Sequence, residues 1–204
     1  MSRNQRADGW GIMNRVHDNL TDIAGIKSST GTTSERKNEI KQLKLELENV
    51  QRDEQRYSHA IANIESANDG RYAEQYADAF RYKPVKDADG NLTYQKETPD
   101  NYNEWVAKRL NLDMNKEMTD IRNILSGDSS FMAMSAEDQQ KEIQKELNIQ
   151  LDSYARNSDV ISRQQYESVD ALYNMRNKAD LEGKKIERNI TKKQEQIDSN
   201  KKKS

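Results

Sequence analysis

The stretch Asp87–Asn91, "DADGN", sets side-chain oxygens at alternate positions, which is the raw material of a calcium loop. An EF-hand loop places oxygen ligands at its first, third and fifth positions, glycine at the sixth and a carboxylate at the twelfth. Here Gly90 arrives at position 4 and Glu97 at position 11. The spacing fails. A tight turn that uses Gly90 and Asn91 for positive φ accounts for the same residues, and no metal or cofactor is expected.

The other chemistry-bearing groups are as poorly arranged. His17 and His59 are 42 positions apart, and neither stands in a His-Glu-x-x-His pair. The chain has no Gly-x-Ser-x-Gly elbow, phosphate-binding glycine loop or dinucleotide fingerprint. Its 35 acidic residues fall three or four apart by chance on long helices, where pairing with Lys and Arg on solvated faces is their ordinary role. With no cysteine, disulfides, thiol catalysis and cysteine-ligated zinc are ruled out. No catalytic residue is assigned, and a non-enzymatic protein is expected.

The elements that would position any site are helical. Only 33% of the 204 residues are hydrophobic and 33% are charged, too few apolar side chains for a large spherical core. A narrow seam between long helices needs fewer. Two prolines and eight glycines in the whole chain agree with that build.

The most apolar stretch is Asp8–Ile26, "DGWGIMNRVHDNLTDIAGI". On a helical wheel Trp10, Ile12, Met13, Val16, Leu20 and Ile23 fall within an arc of about 200°, against the stripe of about 100° that one neighbour covers. Asn14, Asp18, Thr21 and Asp22 lie opposite. Residues 1–27 therefore read as an amphipathic helix, followed by a Ser/Thr/Gly-rich linker over 28–34. Three occupants suit its wide face: a groove on another protein or a second copy, the chain's own long helices, or a membrane surface. Asp18 and Asp22 stand where a membrane-binding helix carries lysine. Docking on a protein partner through Trp10, Ile12, Met13, Val16, Leu20 and Ile23 is the expectation carried forward.

A heptad seam follows in residues 35–69. Ile40, Leu43, Leu47, Val50, Tyr57, Ile61 and Ile64 keep steps of three and four, with Glu54 as the one charged interruption. The helix should run from about Thr33 to Asn68, roughly 50 Å at the standard rise, and stop at "NDG". Residues 159–198 carry a weaker seam of Val169, Leu172, Ala179, Ile186, Ile190 and Ile197. Gly183, in "LEGKK", costs about 1 kcal/mol in a helix interior and marks a bend or weak point.

Between the long runs, residues 70–158 read as a small helical head. Pro84, Gly90 and Pro99 bracket a short hairpin near residues 84–98. A single helix is expected from Asp100 to Gly127, then a loop, "GDSSFMAM", and a further helix starting at Ser135. Nine tyrosines, with Trp105 beside Tyr102, suit the core of this head better than an interface. The fold class is thus all-α: an elongated antiparallel helical stalk or coiled coil, with a small helical head containing one short β-hairpin.

Charge is uneven. Residues 1–15 carry +2, residues 178–204 carry +4, and the span between them −8, giving the net −2. The basic tail, residues 199–204, reads as the solvated, frayed end of a helix. Nucleic acid is not an expected partner, since no aromatic residue lies in the last thirty to stack on bases. No apolar run reaches the roughly 18–20 residues of a membrane span, and no unbroken apolar region follows Arg3 and Arg6 as in a signal peptide. A cytoplasmic or virion-associated location is favoured. The function expected is a structural or assembly component, or adaptor, within a larger complex such as a phage virion or secretion apparatus. The alternative is a small acidic, host-directed inhibitor of one target protein.

Overall fold

The computed structural model describes residues 32–201. They form helix α1 (Thr33–Ser66), a 3-10 turn (Ala67–Gly70), helix α2 (Ala73–Ala79), strands β1 (Tyr82–Lys86) and β2 (Leu92–Lys96), and helices α3 (Tyr102–Arg109), α4 (Met114–Leu125), α5 (Ser129–Met132), α6 (Ala136–Asn157) and α7 (Arg163–Lys201). The fold is all-α with one two-stranded antiparallel hairpin. The amphipathic segment of residues 1–27, with Trp10, Ile12, Met13, Val16, Leu20 and Ile23, lies outside the described residues, as do most of the linker and residues 202–204 of the tail.

The chain divides into two compact units. Among the described residues, one comprises residues 32–42 and 192–201. Within it a capping box starts α1: the Thr32 amide donates to the Glu35 carboxylate (2.6 Å) and the Glu35 amide to Thr32 Oγ1 (3.3 Å), so two orphan donors of the first turn are satisfied reciprocally. Ile40 and Ile197 are buried, and Lys193 donates to Glu39.

The other unit is Leu43–Thr191. Here α1 and α7 pack against each other antiparallel. Gly183 lies against Leu47 and Val50, whereas the Tyr173 hydroxyl, earlier on α7, donates to Glu65, later on α1 (2.8 Å). Asn68, Asp69 and Gly70 all take positive φ (53°, 56° and 72°) and turn the chain away from α1 at the predicted stop. Asn, Asp and Gly are the residues that enter this region at least expense.

The hairpin pairs Tyr82 with Lys96 and Lys86 with Leu92. With only two strands, the missing N–H of Pro84 leaves no ladder bond unmade. Its turn is closed by the Asp87 carboxylate, which accepts from the amides of Asn91 (2.7 Å) and Asp89 (3.0 Å) and from Asn91 Nδ2 (3.2 Å). These bonds, led by that of the Asn91 amide, hold the Asp87 carboxyl below its ordinary value. The carboxylate of "DADGN" is therefore engaged by its own loop.

Two expectations are corrected. The helix expected from Asp100 to Gly127 is two, α3 and α4. Asn111 takes φ 54°, and the Asp113 side chain caps α4 by accepting from the amides of Asn115 and Lys116. The stretch "GDSSFMAM" is not wholly loop: Asp128 caps the one-turn helix α5, which sends Phe131 into the core. Ser135 caps α6 and accepts from the Asp138 amide.

Candidate interaction surface

The heptad positions of α1 fall into two states. Ile40, in its own unit, is buried. In the unit Leu43–Thr191, Leu43 and Ile61 are buried, but Leu47, Val50, Tyr57 and Ile64 are half-buried. Opposite Leu47 and Val50 stands Gly183, which has no side chain to pack on them. Gly183 does not interrupt α7, which runs from Arg163 to Lys201 as one helix. A Cβ there would stand 3.7 Å from Leu47 Cδ1 and 3.8 Å from Val50 Cγ1, so the glycine marks a close approach that still leaves room for a methyl group.

The aromatic residues form the core of the head (α2 to α6 with the hairpin) where it packs on α7. The rings of Phe80 and Tyr173 stack at 5.2 Å, those of Phe80 and Tyr166 meet at 4.9 Å, and Trp105 meets Tyr166 at 5.5 Å. Burial pushes the hydroxyl of Tyr102 up to about 12 and raises that of Tyr166, the charge of Asp170 adding to the latter. Both hydroxyls find acceptors: Tyr102 donates to the Ile161 carbonyl (2.9 Å), and Tyr166 to the Pro99 carbonyl (3.3 Å).

Sequence reasoning missed Lys96. Its side chain is only 7% exposed. The ammonium donates to the Tyr166 hydroxyl (2.8 Å) and to Asp170 (3.1 Å), and lies 4.9 Å from the ring centres of both Phe80 and Tyr166. Desolvating a lysine is tolerable only with such pairing. Two positions earlier on the same strand face, the Tyr94 hydroxyl donates to Asp180 (2.7 Å), which also receives Lys184 (2.6 Å). Burial raises the Asp180 carboxyl, but the bonds from Lys184 and Tyr94 more than offset it, leaving it below its ordinary value. The hairpin is thus fixed to α7 by one strand face, and the signal for this was the alternation of Leu92, Tyr94 and Lys96.

Other charged side chains of the head are likewise engaged with one another. Arg163 grips Asp152 with two nitrogens and reaches Asn103 (2.8 Å). Gln75, buried, donates to the Asp159 carbonyl and accepts from the Ile161 amide. A shallow cleft of about 510 Å³ is lined by Asp78, Arg81, Trp105, Lys108 and Arg109 among others. Within it Asp78 accepts from Trp105 Nε1 (3.1 Å) and lies 3.5 Å from Arg81 and 3.7 Å from Arg109. Among the described residues no group of three or more His, Cys, Asp or Glu is placed to hold a metal ion. His59 is exposed on α1, and His17 lies outside the described residues.

Apolar side chains, by contrast, are left in water. Ile124 is 77% exposed, Met132 57% and Met134 39%, all within the corner that joins α4, α5 and the start of α6; Ile149 on α6 and Leu45 on α1 are also exposed. A single exposed apolar residue needs no explanation. Three large ones within residues 124–134, two of them adaptable methionines, are side chains suited to contact. No helix among the described residues is long and apolar enough to cross a membrane. No family model matches the chain, and no curated protein or solved structure is significantly similar to it.

Proposed function

We propose that this protein is a non-enzymatic assembly component or adaptor that acts through helical protein–protein contacts within a larger complex, such as a virion or a secretion apparatus. One observation carries the reading. The polar and charged groups of the head largely satisfy one another, while Ile124, Met132 and Met134 are left exposed at one corner. Side chains of that kind gain free energy when a partner removes them from water, at roughly 25 cal/mol per Å² of apolar surface. The wide apolar face of Trp10, Ile12, Met13, Val16, Leu20 and Ile23 supplies, on this reading, the attachment to the partner or to a second copy.

Light-scattering mass of the full-length protein beside a variant starting at Ser28 tests it. An oligomeric full-length protein and a folded monomeric variant are the expected pair. Two folded monomers of equal stability would end the self-association form of the proposal and direct the search to a foreign partner. An unfolded variant would mean that Trp10 belongs to the core, and the proposed attachment would fail.

A further inference from the structure

Glu46 on α1 and Glu182 on α7 each bury one carboxylate oxygen, Oε2 and Oε1 respectively, with no hydrogen-bond partner. Among the described residues these are the two buried side-chain oxygens left in that condition. They neighbour Leu47 and Gly183 in sequence, at the level where the two helices come into van der Waals contact. An ionised carboxylate oxygen held away from both water and donors is costly, and a second one across the seam makes it more so.

No cation relieves them. On α1 the positions three and four residues from Glu46, stacked beside it on the same face, are Gln42, Leu43, Asn49 and Val50, all uncharged, while Lys44 and Glu48 in the same turn are exposed. On α7, Lys178 and Lys185 are exposed, as are Glu187 and Arg188. Lys184 is held by Asp180 and by the Tyr94 hydroxyl, the hairpin's polar contribution at this level. Burial first, and the charge of Glu182 second, raise the Glu46 carboxyl above its ordinary value. A protonated Glu46 carboxyl gains a donor that the ionised form lacks and removes one of the two like charges at this level.

We propose that Glu46 and Glu182 form a proton-operated clasp between α1 and α7, in which one proton held between the two carboxyls fastens the helices and its loss loosens them at this level. The folded chain holds this proton more tightly than the unfolded chain. The clasp's contribution to stability is therefore complete below the ordinary glutamate range, and it is lost as pH rises through the raised folded value. Loosening acts on Leu47 and Val50, the seam side chains that face Gly183.

The test uses the full chain in two ways. Carbon-13 NMR of labelled glutamate side chains follows each carboxyl from about pH 3 to pH 8, and one carboxyl of the pair is expected to titrate above the ordinary glutamate range of about 4.3. Thermal unfolding of wild type, Glu46→Gln, Glu182→Gln and the exposed control Glu48→Gln is followed over the same range. Glu46→Gln and Glu182→Gln are expected to raise Tm at pH 7 by about 2–4 °C, the scale for a modest gain in a chain of this size. Both should flatten the fall in Tm above pH 5, and Glu48→Gln should do neither. Ordinary midpoints for both carboxyls would overturn the proposal. So would a Glu46→Gln protein that keeps the wild-type pH dependence or melts lower at pH 7. The NMR titration needs only wild type, so it decides the proposal even if a variant fails to fold.

Discussion

The aromatic head and the α1–α7 seam belong to the same unit and are made from the same kinds of residue, yet they bury them differently. In the head, Val106, Leu147 and Leu151 are completely buried and Trp105 is 1% exposed. Along the seam, Leu47, Val50 and Tyr57 remain half-buried although their heptad spacing is regular. The difference is geometric. A core closed by several helices surrounds a side chain and reaches crystal-like packing density, whereas two helices cover one another's apolar stripe along a line. Regular spacing therefore specifies which residues meet, and the number of surrounding elements decides how much they are worth.

The comparison makes ordered predictions. Trp105→Ala should cost the most, about 3–5 kcal/mol in denaturant unfolding, as fully buried aromatics do. Leu47→Ala should fall below the roughly 2–5 kcal/mol of a buried leucine, and equal losses for the two would erase the distinction. Lys96→Ala ranks between them, at about 2–4 kcal/mol. It leaves Asp170 without its cation, and the 28% exposure of the Asp170 side chain limits the penalty. A double-mutant cycle with Asp170→Asn should recover part of that loss; no coupling would mean that Lys96 acts through packing alone. Gly183→Ala should stabilise by up to about 1 kcal/mol, because the added Cβ makes ordinary contacts at 3.7 and 3.8 Å and helix propensity improves. A destabilised variant would show the seam to be tighter than these distances imply. The smallest effect is expected at the exposed corner: Ile124→Ser should change stability by no more than about 0.5 kcal/mol, while weakening association if that corner meets a partner.

Parts of this arrangement were legible because their signals are local. The 3-4 spacing from Ile40 to Ile64 lies within one helix, "NDG" stops it, and Pro84, Gly90 and Pro99 frame the hairpin. The break at Asn111 was hidden because Leu110 and Met114 continue the apolar rhythm across it, so a cap at Asp113 and a positive φ had to outweigh periodicity. Phe131 was misassigned with its neighbours because one turn of helix is too short to show a period. Lys96 and the Glu46–Glu182 pair were not legible at all. What they do depends on which residues the fold brings from far along the chain: Asp170 and Tyr166 for one, an opposing carboxylate for the other. The attachment assigned to Trp10 and its neighbours rests on sequence pattern, since those residues lie outside the described part of the structure.

Native-state hydrogen exchange, resolved along the chain, probes the contrast between head and seam at the level of single amides. Amides of α3, of α6 and of α7 from Tyr166 to Tyr173 should exchange only through global unfolding. Amides of α1 from Leu47 to Tyr57 and of α7 from Asn177 to Ile190 should exchange through smaller openings, at rates that rise with pH beyond the intrinsic chemistry as the clasp loosens. Uniform protection across both regions would contradict that contrast, because it would mean that two half-covering helices are held as firmly as a closed core.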